Sequence, residues 1–409
     1  MFNRFFSFQI KNINLGALIL GISFFLSALA GLVRDRLLAS KFGVGAELDV
    51  YFAAFRIPDL VYGILILAGL STVFLPVLAE YFARDKREGW QLINVVLNCF
   101  LILLILFCAI FAILTPWLMK FIAPGFSKEQ KELAVSLTRI MFFSPIFFAL
   151  SSIFSSILRY FNHFLTYALA PILYNLGIIF GIIFFVPIFG LKGLAFGVIL
   201  GAFVALLVQI PPVIAFGFRY SPSFDFRYPG LLKIFKFVSW RLLSASLHHL
   251  NLIIVTAIAS TLASGSISIF NFASNLANFI VSIIGVSFAT AVFPNLSRSF
   301  ASGRKEEFIR SFHFAFRQIL FWVVPASIVI FLLRNQIVKA VLEIGLFGSL
   351  ETKLTSAALA SFSFVIFAFS LIPLLLRAFF ALQDVKTPTV IGLIYIVLNA
   401  LSSFSFVLF

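Results

Sequence analysis

Residues 28–81 read ALAGLVRDRLLASKFGVGAELDVYFAAFRIPDLVYGILILAGLSTVFLPVLAEY. Long apolar runs surround Arg34, Asp35, Asp49 and Arg56. A charge at bilayer depth costs several kcal/mol, so such residues turn toward a protein interior and have a task there. The stretch therefore points to a membrane protein with a polar, cationic interior. That makes it a problem of transport before one of catalysis.

The composition agrees. Of 409 residues, 62% are hydrophobic and only 11% charged, against roughly 25% charged in soluble domains. No soluble core hides that much apolar surface, so the solvent must be lipid. The formal charge of +15 would suggest nucleic acid in a soluble chain. Here much of the Lys and Arg falls in short loops between apolar runs, the signature of cytoplasmic loops and of anionic lipid, and nucleic acid is set aside as a partner. Cys99 and Cys108 share one apolar run, with no disulfide framework and no metal-ligand spacing. The first apolar run follows Arg4 and Lys11, is long enough to span, and lacks a small-x-small cleavage site. It reads as a retained span.

Apolar runs of spanning length fall at 14–38, 50–79, 91–119, 132–158, 166–187, 191–217, 235–263, 266–296, 311–333, 354–382 and 387–409. The fold class expected is an all-α polytopic membrane protein of eleven spans. Cations in the N-terminus and in the loops after the second, sixth and eighth spans outnumber those opposite, which predicts a cytoplasmic N-terminus. Pro58, Pro76, Pro145, Pro171, Pro294 and Pro373 lie in or beside spans, where a neighbouring helix must satisfy the carbonyl each one frees.

An internal repeat organises the chain. PVLAEYFARDKRE at 76–88 matches PNLSRSFASGRKE at 294–306 in Pro76/Pro294, Leu78/Leu296, Phe82/Phe300, Ala83/Ala301 and the charged run that follows. The offset is 218 residues, and it also relates SILRYF around Arg159 to LLLRAF around Arg377. Six spans separate the copies, an even number, so the repeat is parallel. This predicts an N-lobe over 1–217, a cytoplasmic linker over 218–230, and a C-lobe over 231–409 that lacks its last helix.

No nucleotide loop, zinc-protease motif or nucleophile elbow occurs, so neither an enzyme nor a cofactor is expected. The candidate substrate-binding residues are Arg34, Asp35, Asp49, Arg56, Arg241 and His248. Arg34 beside Asp35 is either an interfacial snorkelling pair or an oriented guanidinium whose planar fork suits phosphate. Asp49 and Arg56 stand seven apart, on one helix face, and either pair structurally or bind. Arg241 and His248 are again seven apart, with helix-packing hydrogen bonds as the alternative for His248. Arg139 and Arg317 lie near span ends and read as snorkelling. GALILG at 16–21 and GLAFGVILGAF at 193–203 allow close helix approach.

These stretches carry a resemblance. GLVRDRLLASKFGVGAELDVYFAAFRIPDL, STVFLPVLAEY, APGF at Ala123–Phe126, LAPILYNLGIIFG, STLASGSISIFNFASNLANF, GVSFATAVFPNLSRSFASG and ALQDVKTPT run in order from residue 31 to 389. The chain resembles the lipid II flippases of the MurJ/MviN type, in the multidrug/oligosaccharidyl-lipid/polysaccharide exporter superfamily. The resemblance implies two six-helix lobes around a central cationic cavity, and the cost of an unpaired cation in hydrocarbon predicts that Arg34, Arg56 and Arg241 turn into it. It implies alternating-access transport, across the cytoplasmic membrane, of the polyprenyl-pyrophosphate-linked saccharide precursor of peptidoglycan, with cell-wall synthesis proteins as candidate partners. The family has fourteen helices; eleven are legible here. Arg34, Asp35, Asp49 and Arg56 match its motif, whereas family cations fall on Ala28, Tyr62, Gly63 and Asn275. A flippase for another polyprenyl-linked saccharide and a non-transporting envelope scaffold are the alternatives.

Overall fold

The computed structural model describes residues 13–64 and 74–408, with the side chains of 13–18, 20, 237–245, 404 and 406–408 left aside. Arg4 and Lys11 of the orientation count, and the Arg241 side chain, lie outside the described residues. The described chain is helical, with no strand. In order the helices are α1 (Ile13–Phe42), α2 (Ala46–Tyr62), α3 (Phe74–Arg84), α4 (Lys86–Ile122), α5 (Lys128–Tyr160), α6 (Phe164–Phe189) and α7 (Lys192–Ala215), then α8 (Pro229–Ser260), α9 (Ser266–Ala301), α10 (Lys305–Leu342), α11 (Ser349–Ser363), α12 (Ile366–Ala381) and α13 (Lys386–Leu408). Among the described residues α4, α5, α6, α7, α9 and α10 are each long and apolar enough to cross a membrane, and α11 with α12, bent by 49°, makes a seventh.

The intramembrane prolines show how such helices are tolerated. Pro58 and Pro116 lie inside α2 and α4 and cannot donate to the carbonyls of Ala54 and Ala112. Both carbonyls are taken up by neighbouring residues of α5: Thr138 Oγ1 donates to Ala54 O at 3.1 Å, and Arg139 Nε to Ala112 O at 3.1 Å. The carbonyl of Met141, orphaned by Pro145, accepts from Ser144 Oγ at 2.8 Å. Arg139 thus has a structural bond that snorkelling alone does not predict.

The chain forms two compact units. One contains Val50–Thr261 together with the described parts of Met1–Ala30 and Ile396–Phe409. In it α6 and α7 meet along glycines. A Cβ on Gly177 would lie 2.2 Å from Gly201 Cα, and one on Gly181 would lie 2.5 Å from Gly197 Cα. The small residues of 193–203 do what their spacing predicts, while a Cβ on Gly21 would meet open space. The segment joining α7 to α8 is strapped to α4. Buried Asn94 donates to Arg219 O and accepts from Ser221 N–H, and buried Asn98 donates to Ser221 O and accepts from the Tyr220 hydroxyl. Helix α8 then packs on α4 and α3, where Lys233 bonds to Glu80.

The second unit contains Gly31–Asp49 and Leu262–Tyr395. Its α12 ends in a Schellman motif: Gln383 N–H donates to Phe380 O and Asp384 N–H to Phe379 O, with Gln383 at φ 61°. In the first unit α5 ends the same way, Asn162 N–H to Arg159 O and His163 N–H to Leu158 O, with Asn162 at φ 56°. Among the described residues these are the two non-glycine residues with positive φ. They stand 221 residues apart.

Candidate functional site

In the second unit the end of α1, the turn after it and the first turn of α2 form a corner that carries three of the candidate residues, Arg34, Asp35 and Asp49. Arg34 donates through Nε and Nη2 to Asp35 Oδ1, at 3.0 and 2.8 Å. The Asp35 side chain is 4% exposed, and its Oδ2 accepts from Asn275 Nδ2 of α9 at 2.8 Å. One carboxylate therefore holds a guanidinium in plane and is itself held by a second helix. The Arg34 side chain keeps 22% of its surface exposed. An Arg so oriented suits an anionic oxygen of phosphate type.

Asp49 does something different. Its Oδ2 accepts from Gly265 N–H at 2.6 Å, and its Oδ1 from Ser268 N–H at 2.8 Å and Ser268 Oγ at 2.6 Å. Gly265 is the N-cap of α9 and has no side chain to satisfy the helix's first amides. Asp49 supplies the missing cap from another part of the chain, and its negative charge sits at the positive end of the helix dipole. Arg36 mirrors it. Its Nη1 donates to Ala340 O at 2.6 Å and Val341 O at 2.8 Å, the last-turn carbonyls of α10. The turn between is seated by glycines in left-handed conformation: a Cβ on Gly43 (φ 64°) would meet Leu346 O at 2.9 Å, and one on Gly345 (φ 61°) would meet Ser40 O at 2.3 Å. The corner is thus pinned at two helix ends, and this pinning holds Arg34 and Asp35 in place.

The other predicted residues lie in the first unit. Arg56 is buried and donates through Nε to Thr256 Oγ1 of α8 at 2.7 Å. Asp59, one turn further along α2, is the carboxylate whose field acts on it. His248 is exposed, and His249, beside it, packs its ring where a Gly63 side chain would be: a Cβ there would lie 2.3 Å from His249 Cδ2. The Nδ1 of His249 is buried with no hydrogen-bond partner among the described residues. Asn251 of the same helix accepts from Asn399 Nδ2 at 2.5 Å. Asp49 and Arg56, seven apart on one helix, thus take their bonds from different helices. Arg36, Asp59 and Thr256 escaped the sequence reading. The i, i+3 spacing of Arg56 and Asp59 was the one available signal; nothing local marks Arg36 as a cap for a helix 304 residues away.

A family model described as the lipid II flippase MurJ matches residues 38–409. The chain belongs to the MurJ family. A probable lipid II flippase MurJ of Buchnera aphidicola subsp. Acyrthosiphon pisum is 32% identical over 381 residues, covering 92% of this chain and 75% of that protein. The fold is similar to a solved lipid II flippase MurJ in an inward closed conformation, with TM-score 0.78, 25% identity, and 92% and 78% of the two chains covered. An inward-facing multidrug resistance MATE transporter of the MOP superfamily shares the fold alone, at TM-score 0.66 and 16% identity over 95% of this chain and 99% of that one.

Proposed function

We propose that this protein is a multi-pass flippase of the cytoplasmic membrane that carries lipid II to the outer leaflet for peptidoglycan synthesis. Family membership over residues 38–409 carries the reading. The chemistry of the corner supports it: a lipid-linked pyrophosphate needs a fixed, forked cation, and Arg34 is held in plane by Asp35 and Asn275. The work is translocation by alternating access, with no bond made or broken.

The architecture that goes with this reading is eleven spans with a cytoplasmic N-terminus, arranged as two parallel repeats, 1–217 and 231–409, joined through 218–230. The paired Schellman caps support the repeat, since the same rare backbone ends α5 and α12. They also refine its register. The caps lie 221 residues apart, so Arg377 stands about one helical turn before the position equivalent to Arg159.

Complementation of a strain depleted of its own lipid II flippase tests the function. The wild-type chain restores growth and surface-exposed lipid II. Arg34→Ala abolishes both, and Arg34→Lys restores part, because Lys offers a point charge without the fork. Full rescue by Arg34→Ala places the headgroup site elsewhere. Failure of the wild type, expressed and inserted, removes lipid II as the substrate.

A further inference from the structure

A second cationic site lies in the first unit and uses none of the candidate substrate-binding residues. Between the end of α4 and the length of α5 is a groove of about 880 Å³ lined by Lys120, Lys128, Lys131 and Arg139, with Glu132 as the acid among them. Four cations and one carboxylate leave it at +3. The attachments of these cations within the protein are few. Lys131 Nζ donates to Pro124 O at 2.9 Å. Arg139 spends its Nε on Ala112 O, and its two Nη groups have no partner among the described residues. The side chains of Lys120 and Lys128 form no hydrogen bond or ion pair among the described residues.

The groove is amphipathic along its length. Lys128 opens α5, and Arg139 follows eleven residues later, roughly 16 Å deeper at 1.5 Å per residue. Val135 and Ile140 line the wall. On α4, Trp117 is 62% exposed, a residue type that sits where hydrocarbon meets headgroups, and Phe121 is 77% exposed. Arg139 is tied through Nε to Ala112 O at the inner end, so a ligand fitting this groove is anionic near Lys120 and Lys128 and lays its apolar part along Val135, Ile140 and the aliphatic stem of Arg139. We infer that the α4–α5 groove is a binding site for an anionic phospholipid, its phosphate at Lys120 and Lys128 and its acyl chain along Val135 and Ile140.

The test uses the purified full chain and reads lipid adducts by native mass spectrometry, with phosphatidylglycerol or phosphatidylcholine supplied. Phosphatidylglycerol is expected to be retained preferentially. Lys120→Gln with Lys128→Gln is expected to weaken it roughly thirtyfold, from two lost cations at about a kcal/mol each. Neither lysine has an internal bond to lose, so the variant keeps the fold, and Lys120→Arg with Lys128→Arg is expected to retain the lipid. Equal retention of both lipids by the wild type, or undiminished preference in the Gln variant, overturns the inference. Displacement of the lipid by excess inorganic phosphate also overturns it, by making this a free-anion site.

Discussion

Asp49 shows how a residue's type can be read correctly while its partner is not. An acid seven residues before an arginine in an apolar helix suggests an intrahelical arrangement. Its carboxylate instead takes three bonds from the start of α9. Asp49→Ala leaves two amides and a hydroxyl without acceptors, and at typical cap values costs about 2 kcal/mol. The expected result is a clear fall in thermal midpoint in detergent, with Asp49→Asn intermediate because one carbonyl oxygen remains. Arg34→Lys should behave in the opposite way: the buried Asp35 carboxylate keeps a cation, so the thermal midpoint is nearly kept while flipping falls. A variant pair in which both effects fall on the same residue would undo this division between cap and ligand. The charged residues of 28–81 were legible as important because lipid makes any charge conspicuous. Which of them bind and which brace depended on α9 and α10, more than two hundred residues on, and no local pattern encodes that.

Among the helices, α5 acts as a splint. Adjacent residues Thr138 and Arg139 reach to α2 and α4 and satisfy the carbonyls that Pro58 and Pro116 free. Each pair should therefore be coupled. Arg139→Gln is expected to cost about 1 kcal/mol with Pro116 present and little in a Pro116→Ala background, where the helix N–H returns to its own carbonyl. A double-mutant cycle of thermal midpoints measures this, and additive effects would show that Arg139 has no such role. Helix-forming runs and glycine seams were readable because their periodicity is local. The Gly177–Gly201 contact is the check: Gly177→Val forces a side chain into a backbone 2.2 Å away and should cost 3 kcal/mol or more, on the order of severe overpacking. The prolines' partners were not readable, because a freed carbonyl has no sequence mark.

For the whole chain, the proposed parallel repeat rests on two short blocks at an offset of 218 residues, and the caps of α5 and α12 stand at 221. The segment between the halves reads as a polar linker, yet Asn94 and Asn98 bind it to α4. The first helix after it is tied back through Lys233 and Glu80, whose carboxyl the Lys233 ammonium holds below its ordinary value of 4.5, with Arg84 adding to this. A carboxyl lowered on folding stabilises above the unfolded value, and the gain is lost as pH falls through the folded one. Glu80→Gln should thus lower the thermal midpoint slightly at pH 7, and the difference should shrink as pH falls below the ordinary carboxyl value and through the lowered folded one. The pair is exposed, so high salt should shrink the difference as well.

The corner that caps α9 and α10 has a bearing on how the protein is made. It is complete once the first fifty residues have left the ribosome, but the amide that Asp49 must meet is 216 residues further along. At roughly 5–20 residues per second the wait is about 10–40 s. During that time a carboxylate destined for burial is already committed to the membrane without its partner. The first hairpin must therefore stay near water or the insertion machinery until α9 arrives, and Asp49→Ala, which removes the waiting charge, should ease insertion of this segment while it loses the cap on α9.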